Sequence, residues 1–185
     1  MNFKKHNTKI FIAAGKANSG KDTTCELIGN YIKLKGLRVV NLQFSSYIKM
    51  YAKEITGWNG SEDTKPRSLL QELGTDIIRK KISEDFFINR IIDDIKIYSY
   101  YFDVITISDA RFPKELDSIK NNFNNVYKIN IKRPNFENNL NEVQKAHETE
   151  TALDNYNHYD YVLVNDGTIN DLNDKIKRIV DKVIQ

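Results

Sequence analysis

The stretch FIAAGKANSGKDTT, residues 11 to 24, decides how the rest of the chain is read. An apolar run ends at Gly15, four residues intervene, and Gly20 and Lys21 complete the spacing of a phosphate-binding loop. From the glycine and lysine content of this chain such a string arises by accident with a probability of roughly 0.04, so its surroundings must carry the reading. IFIAA before it reads as a strand. After it, Cys25, Leu27, Ile28, Tyr31 and Ile32 fall at the spacing of an amphipathic helix that stops at Gly36. At a strand-to-helix turn, glycines let successive backbone N–H groups curl around an anion, and the helix N-terminus adds partial positive charge. Gly15, Ala17, Asn18, Ser19 and Gly20 are therefore candidates to cradle the phosphates of a nucleoside triphosphate. Lys21 is the candidate cation for its β and γ phosphates, and Thr23 the candidate for its α phosphate. Asp22 stands where the motif usually has Ser or Thr, and a carboxylate can hold Mg²⁺ there directly or through water. Thr24 is expected to face the sheet and Cys25 to pack in the core. The alternative for the whole stretch is a glycine-rich turn without a ligand.

Working outward, five short runs read as strands: residues 9–14, 38–44, 103–108, 125–131 and 159–164. Helical patterns separate most of them, so the order is that of an α/β protein with a five-stranded, mainly parallel sheet flanked by helices. Helices are expected over about 47–55, 66–81 and 86–98, all between the second and third strands. That is too much chain for a plain crossover and predicts an inserted helical unit over the C-terminal edge of the sheet. A last helix begins at Thr168, with Asp171 three residues on as a weak capping box. The chain reads as one domain over 1–185, with a core of 1–45 and 102–185 and an insertion of about 46–101.

Composition narrows the class. The 185 residues are 40% hydrophobic, and 28 basic and 25 acidic side chains leave a formal charge of +3 with no block of one sign. Neither polymeric nucleic acid nor a membrane surface is expected as a partner. One cysteine, no apolar run of membrane-spanning length and a basic start without an apolar stretch point to a cytoplasmic protein without disulfides.

Four further segments carry candidate chemistry. In VITISDARFPKE, Asp109 ends an apolar strand, where a parallel sheet presents ligand groups, and is a candidate second carboxylate near the metal or a helix cap. Arg111 follows as a phosphate ligand, and Pro113 with Glu115 starts a helix. In KPRSLLQELGTDIIRK, Arg67, Gln71, Thr75 and Arg79 interleave with an apolar face, and either arginine alone reads equally as a solvated charge. Gly74 costs about 1 kcal/mol there relative to Ala and calls for a close approach or a break between helices. AHETETALDNY groups His147, Glu148 and Glu150, as a capped helix start or a sparse metal pair. The polar stretch RPNFENNLNEVQK before it reads as a mobile loop, and loops of that length in compact domains are often lids. In VNDGT, Asn165 and Gly167 lie where backbone groups could bracket a base.

Taken in order, GKANSGKDT, FSSYIK, LLQELGTDIIR, SDARFPKE, HETE and YVLVNDGT resemble the phage-type deoxynucleoside monophosphate kinases of the P-loop nucleotide-kinase superfamily. The resemblance runs nearly the full chain. It implies the P-loop NTPase fold, transfer of the γ phosphoryl group of ATP to a deoxynucleoside monophosphate, and a requirement for Mg²⁺. It also implies that the inserted helices bind the monophosphate and that residues near 133–147 close as a lid. Carried over, it gives Lys21 to the β and γ phosphates, Asp22 and Asp109 to the metal, and Thr23 to the ATP phosphates. The monophosphate falls to Arg67, Gln71, Thr75, Arg79, Asp109, Arg111 and Glu150. FSSYIK departs from the usual Ala-Asp-Pro and offers Ser45, Ser46 and Lys49. The lid holds one cation besides Arg133, namely Lys145, so Arg133 joins Lys21 and Arg111 as a catalytic candidate. A homodimer is open to such a chain. The alternatives are phosphomevalonate kinase, whose animal form has a similar SGKD loop, and a nucleotide-hydrolysing switch protein. The Asn-Lys-x-Asp guanine motif of the latter is absent from the sequence.

Overall fold

β1 (Lys9–Ala14) is buried along almost its whole length, and alternation of its side chains divides the interior in two. Ile10 and Ile12 point into one apolar cluster, with Ile105, Ile107, Ile91, Ile95, Leu116 and Ile119. Phe11 and Ala13 point into the other, with Cys25, Ile28, Ile32, Ile129, Leu172 and Ile176. A strand apolar on both faces belongs at the centre of a parallel sheet covered on both sides. The computed structural model, which describes residues 5–134 and 140–184, has this arrangement.

Five strands lie in the order β2-β3-β1-β4-β5, with β2 Val39–Leu42, β3 Val104–Ala110, β4 Val126–Lys132 and β5 Tyr161–Val164. All four pairings are parallel, with Ile10 opposite Ile105 on one side and Val126 on the other. One layer holds α1 (Lys21–Leu34) and α8 (Ile169–Val183). The opposite layer holds α4 (Phe86–Tyr98) and α5 (Pro113–Asn122). The chain leaving β1 and the chain leaving the adjacent β3 therefore turn to opposite faces. A crevice opens between them at the carboxyl ends of the strands, where open α/β sheets place ligands.

Between β2 and β3 the insertion contains α2 (Ser45–Thr56), α3 (Arg67–Gln71), a wider turn of i→i+5 type over Glu72–Ile82, and α4. The single helix expected over 66–81 is thus two geometries in series. Gly74 lies just past the change, within the wider stretch, and a methyl group there would come 2.8 Å from Ile48 Cδ1 of α2. Its reason is the close approach of a neighbouring helix. β2 is shorter than expected because Gln43 and Phe44 already turn toward α2. β5 begins at Tyr161, and Asp160 before it both donates its N–H to Lys128 O and accepts from Lys128 N with its carboxylate. Gly36 has φ 75° just past α1, as a residue ending a helix requires. Thr168 and Asp171 form the expected capping box on α8. Two short helices, α6 (Glu142–Ala146) and α7 (Glu148–Thr151), follow β4. The middle of the expected lid, residues 135–139, lies outside the described residues. No helix among those described is long and apolar enough to cross a membrane.

Candidate active site

The loop between β1 and α1 is built on positive φ angles: Gly15 at 147°, Asn18 at 58° and Gly20 at 101°. A side chain on Gly15 would run into the carbonyl oxygen of Ile131, and one on Gly20 would meet the Asn165 amide. The glycines are therefore required by the turn and by what packs behind it. Asn165 Nδ2 donates to Ser19 O at 3.0 Å and ties the end of β5 to the loop. Gly167 lies beyond it, against the Asp171 carboxylate, and does not line the cleft.

Lys21 opens α1 but is only 6% exposed, and its Nζ donates to Lys16 O at 2.7 Å. Burial, followed by repulsion from Arg111, pushes its pKa from 10.5 down to about 7. A buried ammonium with that deficit is ready for an anion, since phosphate oxygens would supply the missing charge. Thr23 lines the same space. Thr24 and Cys25 are buried as expected, with burial raising the Cys25 thiol, a packing residue and no nucleophile.

Arg111 reaches the loop from the end of β3. Its Nη1 lies 2.9 Å from Glu150 Oε1 and donates to Gly15 O at 3.4 Å. Glu150 Oε2 accepts from Ala17 N at 2.9 Å, so one carboxylate joins α7, the loop and Arg111. His147 does not pair with Glu150: its ring caps α7 through Thr149. Arg133 Nη1 donates to Asn18 O at 3.2 Å from the far side of the loop.

The two aspartates expected at the metal have different surroundings. Asp22 is exposed; Oδ1 accepts from Gln43 Nε2 at 3.0 Å, and among the described residues Oδ2 has no partner. Asp109 uses both oxygens, accepting from Phe44 N and Ser45 N at 2.9 Å each, and so anchors the start of α2. Asp22 with the adjacent Thr23 hydroxyl fits Mg²⁺, an ion that takes one or two protein oxygens and fills its shell with phosphates and water. No group of three or more His, Cys, Asp or Glu side chains suited to a metal occurs among the described residues.

On the other wall, Lys49, Arg67, Gln71, Thr75 and Arg79 all line one cleft of about 1080 Å³ together with Lys21 and Asp22. Thr75 is 1% exposed and its hydroxyl has no partner among the described residues. Arg79 is held tightly: Nη2 is 2.6 Å from Glu115 Oε1, Nη1 donates to Gly74 O, and the guanidinium lies between the rings of Phe87 and Phe112. The other Glu115 oxygen accepts from Arg111 N and Phe112 N at 2.7 and 3.1 Å. Burial pushes the Glu115 carboxyl upward, while Arg79 and these N–H groups pull it back. Glu115 therefore braces both arginines, a role its helix-start position alone does not announce. Gln43 and Ser108 also belong to the site without any motif to mark them; polar residues at the ends of adjacent parallel strands were the available signal.

A model of the deoxynucleotide monophosphate kinase family matches residues 30–176, most of the chain. The chain belongs to the deoxynucleotide monophosphate kinase family. Within that range lie the inserted helices, Arg111, Glu150 and Asn165, while the phosphate loop precedes it. A protein of Acanthamoeba polyphaga mimivirus, provisionally named as a deoxynucleotide monophosphate kinase, is 30% identical over 135 residues. The match covers 65% of this chain and 63% of that relative's length. Among solved structures, an APS kinase of Mycobacterium tuberculosis in complex with AMPPNP and APS superposes with a TM-score of 0.61 at 10% identity. That match covers 97% of this chain and 99% of the other. A dephospho-CoA kinase from Campylobacter jejuni gives 0.51 at 14% identity, over 96% and 98%. At such identities the likeness shows the fold, that of P-loop kinases.

Proposed function

We propose that this family member phosphorylates deoxynucleoside 5′-monophosphates with ATP as donor, releasing ADP and the diphosphate. The observation that carries the reading is the single cleft. The phosphate loop with Lys21 lines it, and so do Lys49, Arg67, Gln71 and Arg79 of the insertion; Arg111 bonds Gly15 O of the loop and shares Glu115 with Arg79. A protein that only binds or hydrolyses one nucleotide has no use for the second set of cations.

In this reading an oxygen of the acceptor phosphate attacks the γ phosphorus in line, and the bond from that phosphorus to the β-bridging oxygen breaks. The acceptor oxygen is already a nucleophile, so positioning and charge neutralisation supply most of the rate, without a general base. Lys21 holds the β and γ phosphates, the loop N–H groups of Asn18 and Gly20 hold their oxygens, and Arg111 lies between donor and acceptor. Arg133 adds positive charge from the lid side, with Glu150 setting the angle of Arg111. Mg²⁺, when bound at Asp22, neutralises the triphosphate and orients it. Residues near 133–147 act as the lid that excludes water from the γ phosphate.

The test is an acceptor panel in which ADP release from Mg-ATP is followed with each common ribo- and deoxyribonucleoside monophosphate and with phosphomevalonate. Release that requires a deoxynucleoside monophosphate is the expected result. Release independent of every acceptor, or supported by phosphomevalonate alone, refutes the reading.

A further inference from the structure

Gln43 follows directly on β2, and its amide links three parts of the molecule. Nε2 donates to Asp22 Oδ1 at 3.0 Å and to Ser108 Oγ at 2.9 Å. Oε1 lies 3.5 Å from Lys49 Nζ on α2. A carboxylate only accepts hydrogen bonds, so contact with Asp22 fixes which end of the amide is the nitrogen. The anchor on the other side is firm. Ser108 is fully buried, its hydroxyl also receives Asn41 Nδ2 at 3.4 Å, and Asn41 Oδ1 accepts from Thr106 Oγ1 at 2.8 Å. This is a polar ladder across β2 and β3, and its outer rung is Gln43.

The ladder ends on the Asp22 carboxylate, whose second oxygen has no partner among the described residues. Asp22 is exposed on the first turn of α1, and a free aspartate there would sample several rotamers. Holding Oδ1 selects one of them, at a residue that lines the cleft.

We propose that Gln43 is a positioning residue for the nucleotide-bound metal, acting through Asp22 and referring its orientation to the buried Ser108. The proposal rests on the reading of Asp22 as the metal's carboxylate in a kinase. Groups behind a ligand that fix its orientation typically cost about 10–100-fold in metal affinity or activity when removed.

The test uses Mn²⁺ as the probe, with free Mn²⁺ read by electron paramagnetic resonance in the presence of full-length protein and AMPPNP. Wild type is compared with Gln43→Met, which keeps the length but removes the amide, and with Gln43→Asn, which withdraws the amide from reach. Both variants are expected to weaken Mn²⁺ binding to the protein–nucleotide complex by about tenfold or more. Binding of AMPPNP without metal should change by less than about threefold, since no nucleotide contact is removed. If Gln43→Met does not unfold cooperatively, Gln43→Asn decides. Wild-type Mn²⁺ affinity in the folded variants, or an equal loss of metal-free nucleotide binding, overturns the proposal. If wild-type protein binds Mn²⁺–AMPPNP no better than AMPPNP alone, the placement of the metal at Asp22 falls first and the proposal with it.

Discussion

At the scale of single residues, Lys21 has the clearest consequence. Its pKa falls from 10.5 to about 7 in the folded protein, so between those values the unfolded chain carries a proton that the folded chain has lost. Stability of the ligand-free protein from this group is therefore lowest below pH 7 and rises with pH through that window. Urea unfolding at pH 7 and pH 9.5 should show that rise, and Lys21→Met should flatten it while abolishing ADP production. A phosphate ligand reverses the shift, so ATP binding at pH 8 should take up a proton, detectable by calorimetry in buffers of different ionisation enthalpy. Proton release would contradict the assignment of Lys21. Glu150 gives a second residue-scale expectation, because it connects Ala17 N to Arg111. Glu150→Gln removes the charge partner of Arg111 and should lower kcat by about tenfold or more with little change in the unfolding midpoint. An unchanged kcat would mean that Arg111 needs no such partner.

At the scale of elements, the widened helical turn over Glu72–Ile82 is joined to the β3–α5 turn through Arg79 and Glu115. Side-chain exposures of 13% and 2% place this pair in the interior. Breaking a buried pair leaves one charge uncompensated, at a cost of about 3–5 kcal/mol. Arg79→Ala is therefore expected to lower stability as well as acceptor binding. Arg67 is exposed on the same wall, so Arg67→Ala should raise KM for the monophosphate and leave both KM for ATP and the unfolding midpoint near wild type. Steady-state kinetics beside thermal unfolding separate the two cases. Equal loss of stability in both variants would remove the distinction. The helical stretch containing both arginines could be read from its apolar spacing. The reason for Gly74 could not, because it lies with Ile48 of another helix.

At the scale of the molecule, one cleft holds both the loop and the arginines of the insertion. An adenosine and a deoxynucleoside joined through five phosphates is expected, under the proposed function, to engage both sets of cations at once. It should raise the unfolding temperature more than ATP and the monophosphate give together at the same concentration, since one molecule loses its freedom once. A shift no greater than that of ATP alone would mean that the two ends are not used together. The same scale explains the core: β1 can be central only because both of its faces are apolar, and that sets α1 and α5 on opposite sides of the crevice.

By itself the sequence determined what local chemistry can specify. The spacing of Gly15, Gly20 and Lys21, the five apolar runs and the amphipathic faces are properties of neighbouring residues, and they led to the α/β fold and the phosphate loop. The partners of those residues were decided by tertiary structure. Asp109 anchors α2, Glu115 braces Arg79 and the Arg111 backbone, Glu150 reaches Ala17, and Gln43 meets Asp22. Each of these contacts joins groups from different elements, 21 to 133 residues apart except where Glu115 turns back on Arg111. A carboxylate or an amide has the same local signature whether it caps a helix, pairs with an arginine or steadies a ligand. Only the packing of the strands and helices that carry it selects among those partners.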